Sequence, residues 1–275
     1  MDVRERYLDL IKKSLSFSLW PEPPAPAEHF KDDRGPLANA LISLGSALVK
    51  PMGLRLMQQP EYDEADRRDG KIWPGYAHTM IGLRRLDNLQ ECVETVLKDG
   101  VEGDLIETGV WRGGSCIFMK AILAAYGDDR RKVYVADSFA GLPRPDPEKY
   151  PADTGDDLYQ YDYLAVSLEQ VKQNFAAYGL LDEHVVFLEG WFKDTLPHAP
   201  VEKLAVMRLD GDLYESTIEA LESLYPKLQH GGFCIIDDYA LPTCLQAVDD
   251  FRRTHGIRDD LVAVDWSGVY WRKSR

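Results

Sequence analysis

From about residue 84 onward, apolar positions recur alternately at helical and at extended spacing, and this alternation is the chain's strongest structural signal. Helix-period segments are expected at about 84–98, 114–126, 164–178, 214–228 and 243–255. Short β-branched or apolar runs at 104–107, 132–136, 184–188, 203–209, 232–236, 261–264 and 269–272 are expected to be strands. Strands alternating with helices predict an α/β fold, a doubly wound, mostly parallel seven-stranded sheet covered on both faces, with ligands at the carboxyl ends of its strands. The last two strands are joined by a turn at Asp265 to Gly268, which predicts an antiparallel strand at one edge.

Upstream the pattern changes. In MDVRERYLDLIKKSLSF, residues Tyr7, Leu8, Leu10, Ile11, Leu15 and Phe17 suggest one face of an amphipathic helix, and the interspersed charges leave no uninterrupted apolar region of a secretory signal. The proline-rich run PEPPAPAEHF at 21–30 is too stiff to continue a helix and reads as a linker or surface loop. The run from about 37 to 57 reads as a packed helix interrupted at Pro51, followed by the polar tract EYDEADRRDGKIWPG. The expected organisation is a helical N-terminal extension or lid, 1–70, and one α/β domain, 71–275, with the extension available to cover a site or to join subunits.

Composition narrows the function classes. With 46 acidic against 32 basic side chains, the formal charge of -14 opposes non-specific attraction to nucleic acid or anionic lipid, so neither is an expected partner. No run approaches the roughly 20 apolar residues of a membrane span. Cys92, Cys116, Cys234 and Cys244 form no Cys-x-x-Cys pair and read as reduced and mostly buried, which fits the cytoplasm.

The segment DLIETGVWRGGSCIFMKAI reads as strand, glycine turn and helix. It departs from a dinucleotide fingerprint because Gly109 is followed by Val110 and bulky Trp111 before Gly113 and Gly114, where a pyrophosphate cradle needs bare backbone. The turn instead follows Glu107, an acid able to face a ligand bearing ammonium and sulfonium charge. The Ser115 hydroxyl and the first amides of the helix starting near Gly114 can receive that ligand's carboxylate. The next strand, KVYVAD, ends in Asp137, thirty residues beyond Glu107, where nucleoside-binding folds commonly place an acid for ribose hydroxyls. The competing reading is local pairing of Glu107 and a plain tight turn at Gly109.

Two further strands end in acids, at Asp210 in LAVMRLDGDLYEST and at Asp237 and Asp238 in GGFCIIDDYA. On adjacent parallel strands these three carboxylates can converge, and left unpaired they would repel one another and raise at least one pKa. A divalent cation resolves that conflict. Carboxylates without Cys or His favour a hard ion, Mg²⁺ first, with Mn²⁺ or Ca²⁺ as alternatives and zinc disfavoured. Helix capping competes with this role and is the preferred reading for Asp212, ahead of the helix starting near Tyr214; Ser216 is the alternative cap, and the competing reading of Asp238 is the start of the turn into the next helix.

Taken in order, WPGYAHTMIGLRRLDNLQ, ETGVWRGGS, ADSFAGLP, EGWFKDTLP, LRLDGDLYEST and IIDDY resemble the macrocin-type sugar O-methyltransferases that act on macrolide and aminocoumarin antibiotics. The resemblance runs from about residue 71 to 255 and is loose over the first 70 residues. It implies a class I, Rossmann-like methyltransferase fold and S-adenosylmethionine as cofactor, with Glu107, Thr108, Gly109, Ser115, Asp137 and Ser138 as contacts. Trp191 and Phe192 would flank the adenine, Thr79 and Met80 would approach the methionine end, and the family's magnesium ligands fall on Asp210, Asp237 and Asp238. It further implies a glycosylated small-molecule acceptor and a homo-oligomer assembled partly through the N-terminal extension.

A sugar hydroxyl is a weak nucleophile, so it must be aligned with the methyl and relieved of its proton. Asp210 is the expected base; His78, a second candidate, reads instead as a packing or hydrogen-bonding residue. The polar, aromatic loop Gly141 to Tyr163 is the expected acceptor-specificity element, against a solvated insertion. The rival functions are a catechol-type O-methyltransferase on a phenolic acceptor and a non-catalytic nucleoside- or sugar-binding protein; a dinucleotide oxidoreductase is set aside by the failed glycine signature.

Overall fold

The computed structural model describes residues 2–27, 35–59 and 62–274. Asp2 and Glu5 form a reciprocal capping box, each carboxylate accepting the other's backbone N–H at 2.8 Å, and so start helix α1 (Val3–Leu15). The stripe predicted for α1 is narrower than expected. Leu8 and Leu15 enter the main core with Tyr7 and Ile11 beside them, whereas Leu10 is exposed and Phe17 lies beyond the helix in a left-handed conformation. Strands β1 (Ala25–Pro26) and β2 (Met57–Gln58) form a small antiparallel pair, so residues 25–26 of the predicted linker are extended, while residues 28–30 lie outside the described residues.

Helix α2 (Pro36–Val49) stops before a 3₁₀ turn that contains Pro51 and closes on left-handed Gly53, as the proline predicts. The expectation that it is packed does not hold. No residue of α2 is buried, and Leu37, Leu41, Leu44 and Leu48 are each more than 60% exposed. Apolarity signals a face that needs cover but not where the cover comes from, and the described residues do not supply it. Short helix α3 (Glu64–Arg68), capped by Asp63, carries Arg67 into a buried ion pair with Glu22 at 3.0 Å, which pins the segment after α1.

Helix α4 (Gly82–Lys98) then leads into the alternating frame: β3 (Asp104–Thr108), α5 (Gly114–Tyr126), β4 (Val133–Asp137), α6 (Leu168–Ala177), β5 (Val185–Glu189), α7 (Phe192–Thr195), β6 (Leu204–Leu209), α8 (Tyr214–Leu224), β7 (Leu228–Ile236), α9 (Pro242–Thr254), β8 (Val262–Ala263) and β9 (Val269–Arg272). The seven strands from β3 onward form one sheet in the order β5-β4-β3-β6-β7-β9-β8. The first five are parallel, and β9 runs antiparallel to both β7 and β8. Chain order reverses at β3 and β6, which is where open α/β sheets part their loops and bind ligands.

Alternation along the strands fills both layers: Val133 and Val135 join α1, α4, α5 and α6 on one face, Tyr134 and Ala136 join α8 and α9 on the other. Two expected boundaries shift for local reasons. Pro226 ends α8 in a 3₁₀ turn rather than letting it run to 228, so β7 starts there. Ser167 accepts from the Gln170 amide and starts α6 later than 164. No helix among the described residues is long and apolar enough to cross a membrane, and all four cysteines are buried and unbridged.

Candidate active site

Strain marks the carboxyl edge of the sheet. Of the four non-glycine residues with positive φ among the described residues, Trp111, Phe139 and Asp212 lie in the loops after β3, β4 and β6. Gly109, at φ +77°, is required: a Cβ there would sit 1.6 Å from the Asp210 carbonyl oxygen, so the glycine turn after β3 lies directly on the end of β6. Gly114 has the same necessity, since a Cβ would meet the His78 carbonyl oxygen at 2.4 Å, and its N–H donates to that oxygen at 2.9 Å. This contact seats the AHTM segment on the N-terminus of α5.

Two adjoining cavities open along this edge, about 770 and 1030 Å³ including space open to solvent, and both are walled by Met80, Trp111, Leu164, Asp210 and Asp212. The first takes in Gly109, Asp137, Ser138, Trp191 and Phe192; the second takes in Thr79, Glu107, Ser115, Asp237 and Asp238. The sequence-predicted residues are therefore brought to one cleft of two lobes, with Met80 at the waist. Thr108 is not brought there: its side chain is fully buried and its hydroxyl makes no hydrogen bond.

In the first lobe, the Asp137 carboxylate accepts backbone N–H groups from Val110 and Phe139, each at 2.7 Å, and so fixes the turns after β3 and β4. Burial pushes its pKa upward. Ser138 donates to the Gly141 carbonyl at 2.6 Å and tightens the start of the long loop.

The second lobe is built on charge. Asp210, Asp237 and Asp238 offer carboxylate oxygens within 4.8 Å of one another, the convergence expected of neighbouring strands β6 and β7. Asp210 and Asp237 are paired with arginine, whereas Asp238 accepts the Asp212 backbone N–H. Fully buried Arg208, inside β6, donates to Glu107, to Asp210 at 3.0 Å and to Asp237, and Arg85 of α4 spans Asp237 at 2.5 Å and Asp265 at 2.7 Å. Burial alone would lower the Arg208 pKa, but Asp237, Glu107 and Asp210 hold it charged. Acids remain in excess. Burial first, and the neighbouring carboxylates second, push Asp210 and Asp238 well above the usual carboxylate range and raise Asp212 to about 7. All-oxygen donors, close convergence and surplus negative charge fit a hard divalent cation. Asp237 would share oxygens already held by arginine, which a carboxylate's lone pairs permit.

The cap expected from Asp212 is supplied elsewhere. Asp153, fully buried in the long loop, accepts the Tyr214 and Glu215 amides at 2.7 and 3.0 Å, while Asp212 faces both lobes and donates its own N–H to Asp238 at 3.2 Å. The spacing Asp-x-Asp after an apolar strand was the available signal for Asp212, and the arginine in the middle of LAVMRL was the signal for Arg208. His78 does not reach the cleft: its ring bonds the Tyr178 hydroxyl at 3.0 Å and its N–H the Leu15 carbonyl at 2.8 Å, tying α1 to the domain. Burial and nearby Arg112 lower its pKa.

The loop from 141 to 163 is ordered by 3₁₀ turns and anchored over the second lobe, where Trp111 donates to the Tyr163 carbonyl at 3.0 Å and the Tyr163 hydroxyl to the Pro74 carbonyl at 2.5 Å.

A family model described as macrocin-O-methyltransferase (TylF) matches residues 4–273. The chain belongs to the macrocin-O-methyltransferase family. The match extends through the N-terminal segment that carried few of the motifs. This macrocin-family methyltransferase is 51% identical over 272 residues to the 8-demethyl-8-(2,3-dimethoxy-alpha-L-rhamnosyl)-tetracenomycin-C 4'-O-methyltransferase of Streptomyces olivaceus, covering 98% of the chain and 94% of that relative. It is 52% identical over 222 residues to the mycinamicin III 3''-O-methyltransferase of Micromonospora griseorubida, covering 80% and 87%. Among solved structures it resembles the O-methyltransferase NovP, with a TM-score of 0.85 and 44% identity over 99% of this chain and 100% of that one. Family membership implies S-adenosylmethionine as methyl donor, and the observed sheet is that of the class.

Proposed function

We propose that this macrocin-family methyltransferase methylates a sugar hydroxyl of a glycosylated natural product with the help of a divalent cation, Mg²⁺ first among candidates. The observation that carries the reading is the two-lobed cleft, in which a carboxylate cluster adjoins the nucleoside-type lobe across a shared waist. Asp137 and Ser138 would orient the ribose end, Trp191 and Phe192 would enclose the adenine, and Glu107, Gly109, Ser115, Thr79 and Met80 would hold the methionine end. Thr108 stands outside this set: its carbonyl accepts the Asp210 N–H at 2.9 Å and locks the two strand ends together.

S-adenosylmethionine supplies a methyl activated by its sulfonium, and a cation held by Asp210, Asp237 and Asp238 would lower the pKa of an acceptor hydroxyl. The chain's residues supply the rest. Asp210, common to both lobes, takes the proton as the oxygen takes the methyl, and Arg208 holds that carboxylate in place from beneath. Met80, Trp111 and Leu164 exclude water from the waist.

The test is turnover on a rhamnosylated acceptor before and after chelation. Activity is expected to vanish in chelator and return with Mg²⁺, while S-adenosylhomocysteine binding, followed by calorimetry, persists in an Asp237→Ala, Asp238→Ala variant that has lost its metal response. Turnover indifferent to chelator would remove the cation from the mechanism. No binding of S-adenosylhomocysteine under any condition would remove the function.

The same proposal includes a cytoplasmic homo-oligomer, with residues 1–70 as the extension and 71–275 as the methyltransferase domain. Its support is α2, whose exposed leucines at 37, 41, 44 and 48 follow heptad spacing and suit a second copy of the chain. Sedimentation of a Leu41→Glu, Leu44→Glu variant is expected to show dissociation relative to the parent; an unchanged sedimentation coefficient rejects α2 as the seam.

A further inference from the structure

The mouth of the second lobe is walled by aromatic rings that neither the cofactor nor the carboxylate cluster uses. Trp73, ahead of α4, and Trp266, in the turn between β8 and β9, line it and are 48% and 52% exposed. Both are nevertheless fixed. The Trp266 indole N–H donates to the Asp69 carbonyl at 2.9 Å, and Arg85 lies 5.5 Å from its ring centre. Trp73 stacks on Tyr163 at 5.3 Å and meets Tyr161 edge-on at 5.7 Å. Ile72 and Leu241 extend this apolar wall toward the acids on the floor. Exposed rings already immobilised can receive a flat apolar body at little further entropic cost.

Charge limits what that body can be. Among the described residues lining the lobe, the cations are Lys71 and Arg85, against Glu107, Asp210, Asp212, Asp237 and Asp238. Arg85 is committed to Asp237 and Asp265, and Lys71 is drawn to Asp66 and Asp69 at 3.8 and 3.6 Å. Around the lobe a diphosphate would find one unpartnered guanidinium nitrogen, Arg85 Nη2, and that nitrogen is buried from solvent.

Building on the proposed methylation of a sugar hydroxyl, we propose that Trp73 and Trp266 form a recognition site for the apolar, ring-bearing aglycone of the acceptor. The mouth selects a finished glycoside over a nucleoside diphosphate sugar, and the reaction class that supplies the substrate is glycosyl transfer. The two tryptophans are specificity residues; they do not touch the reacting atoms.

The experiment compares 2-naphthyl rhamnoside, free rhamnose and a thymidine diphosphate rhamnose in the parent enzyme and in Trp266→Ala, Trp266→Phe and Trp73→Ala. S-adenosylhomocysteine affinity serves as the control for folding. For the naphthyl glycoside, KM is expected to rise about ten-fold or more in each alanine variant with kcat nearly unchanged, and Trp266→Phe to restore most of it. Free rhamnose should show no such dependence. An equal loss on free rhamnose and glycoside, or a preference for the nucleotide sugar, overturns the proposal. Calorimetric titration of the S-adenosylhomocysteine-loaded protein with the naphthyl glycoside needs no turnover. Binding that weakens in the alanine variants supports the mouth even if no sugar is methylated, in which case it is the proposed reaction that fails; absence of binding in the parent rejects the mouth itself.

Discussion

Asp137 and Asp237 occupy equivalent places, each just at the carboxyl end of a strand in the same parallel sheet, yet they are held in opposite ways. Asp137 accepts two neutral backbone amides, from Val110 and Phe139. Asp237 accepts two guanidinium groups, from Arg85 and Arg208. Amides steady a carboxylate and leave its charge uncancelled, ready for hydroxyl donors of a ligand. Arginines cancel charge, which lets several acids share one buried place and makes each depend on the others. Position in the sheet decides which acids meet; the kind of partner decides what the meeting can do.

The sharpest break between the two settings is expected from asparagine at Asp210, in the arginine-held cluster beside Asp237, and at Asp137. Asp210→Asn should lower kcat by about 10³-fold while cofactor-product affinity stays near that of the parent. Asp137→Asn keeps an acceptor for its amides and should mainly weaken S-adenosylhomocysteine binding, about ten-fold by calorimetry. Comparable kcat losses at both would erase the distinction. A smaller effect is expected beneath the cluster: Arg208→Met strands Glu107, Asp210 and Asp237 without their shared cation and should cost about 3 kcal/mol in urea unfolding. Stability unchanged by that substitution would mean that the acids do not rely on arginine. The smallest effect belongs to the loop, where Asp153→Ala removes the side-chain cap of α8 and should cost about 1 kcal/mol by the same measurement.

What the sequence disclosed follows the same divide. The ends of β3, β4, β6 and β7, and the acids on them, were legible because strand periodicity and parallel topology bring them to one edge without any side-chain detail. The arginine clamp was not, since Arg85 and Asp237 are separated by 152 residues and no local pattern ties them together. Asp212 was misassigned for a related reason. An acid before a helix is the usual local cap, and nothing nearby shows that Asp153, 61 residues before Tyr214, has taken the position. The exposure of α2 was also out of reach, because an apolar helix reads alike whether its cover comes from its own chain or from another.

The turn at 265–267 acts as a latch on the acid cluster. Asp265 grips Arg85 at 2.7 Å, and the Ser267 hydroxyl donates to the Asp237 carbonyl at 2.8 Å. The cleft is thus closed by a turn whose partners lie up to 180 positions earlier in the chain. A chain clipped before residue 265 would lack this latch on its acid cluster, so the geometry of the site depends on a contact made across most of the domain.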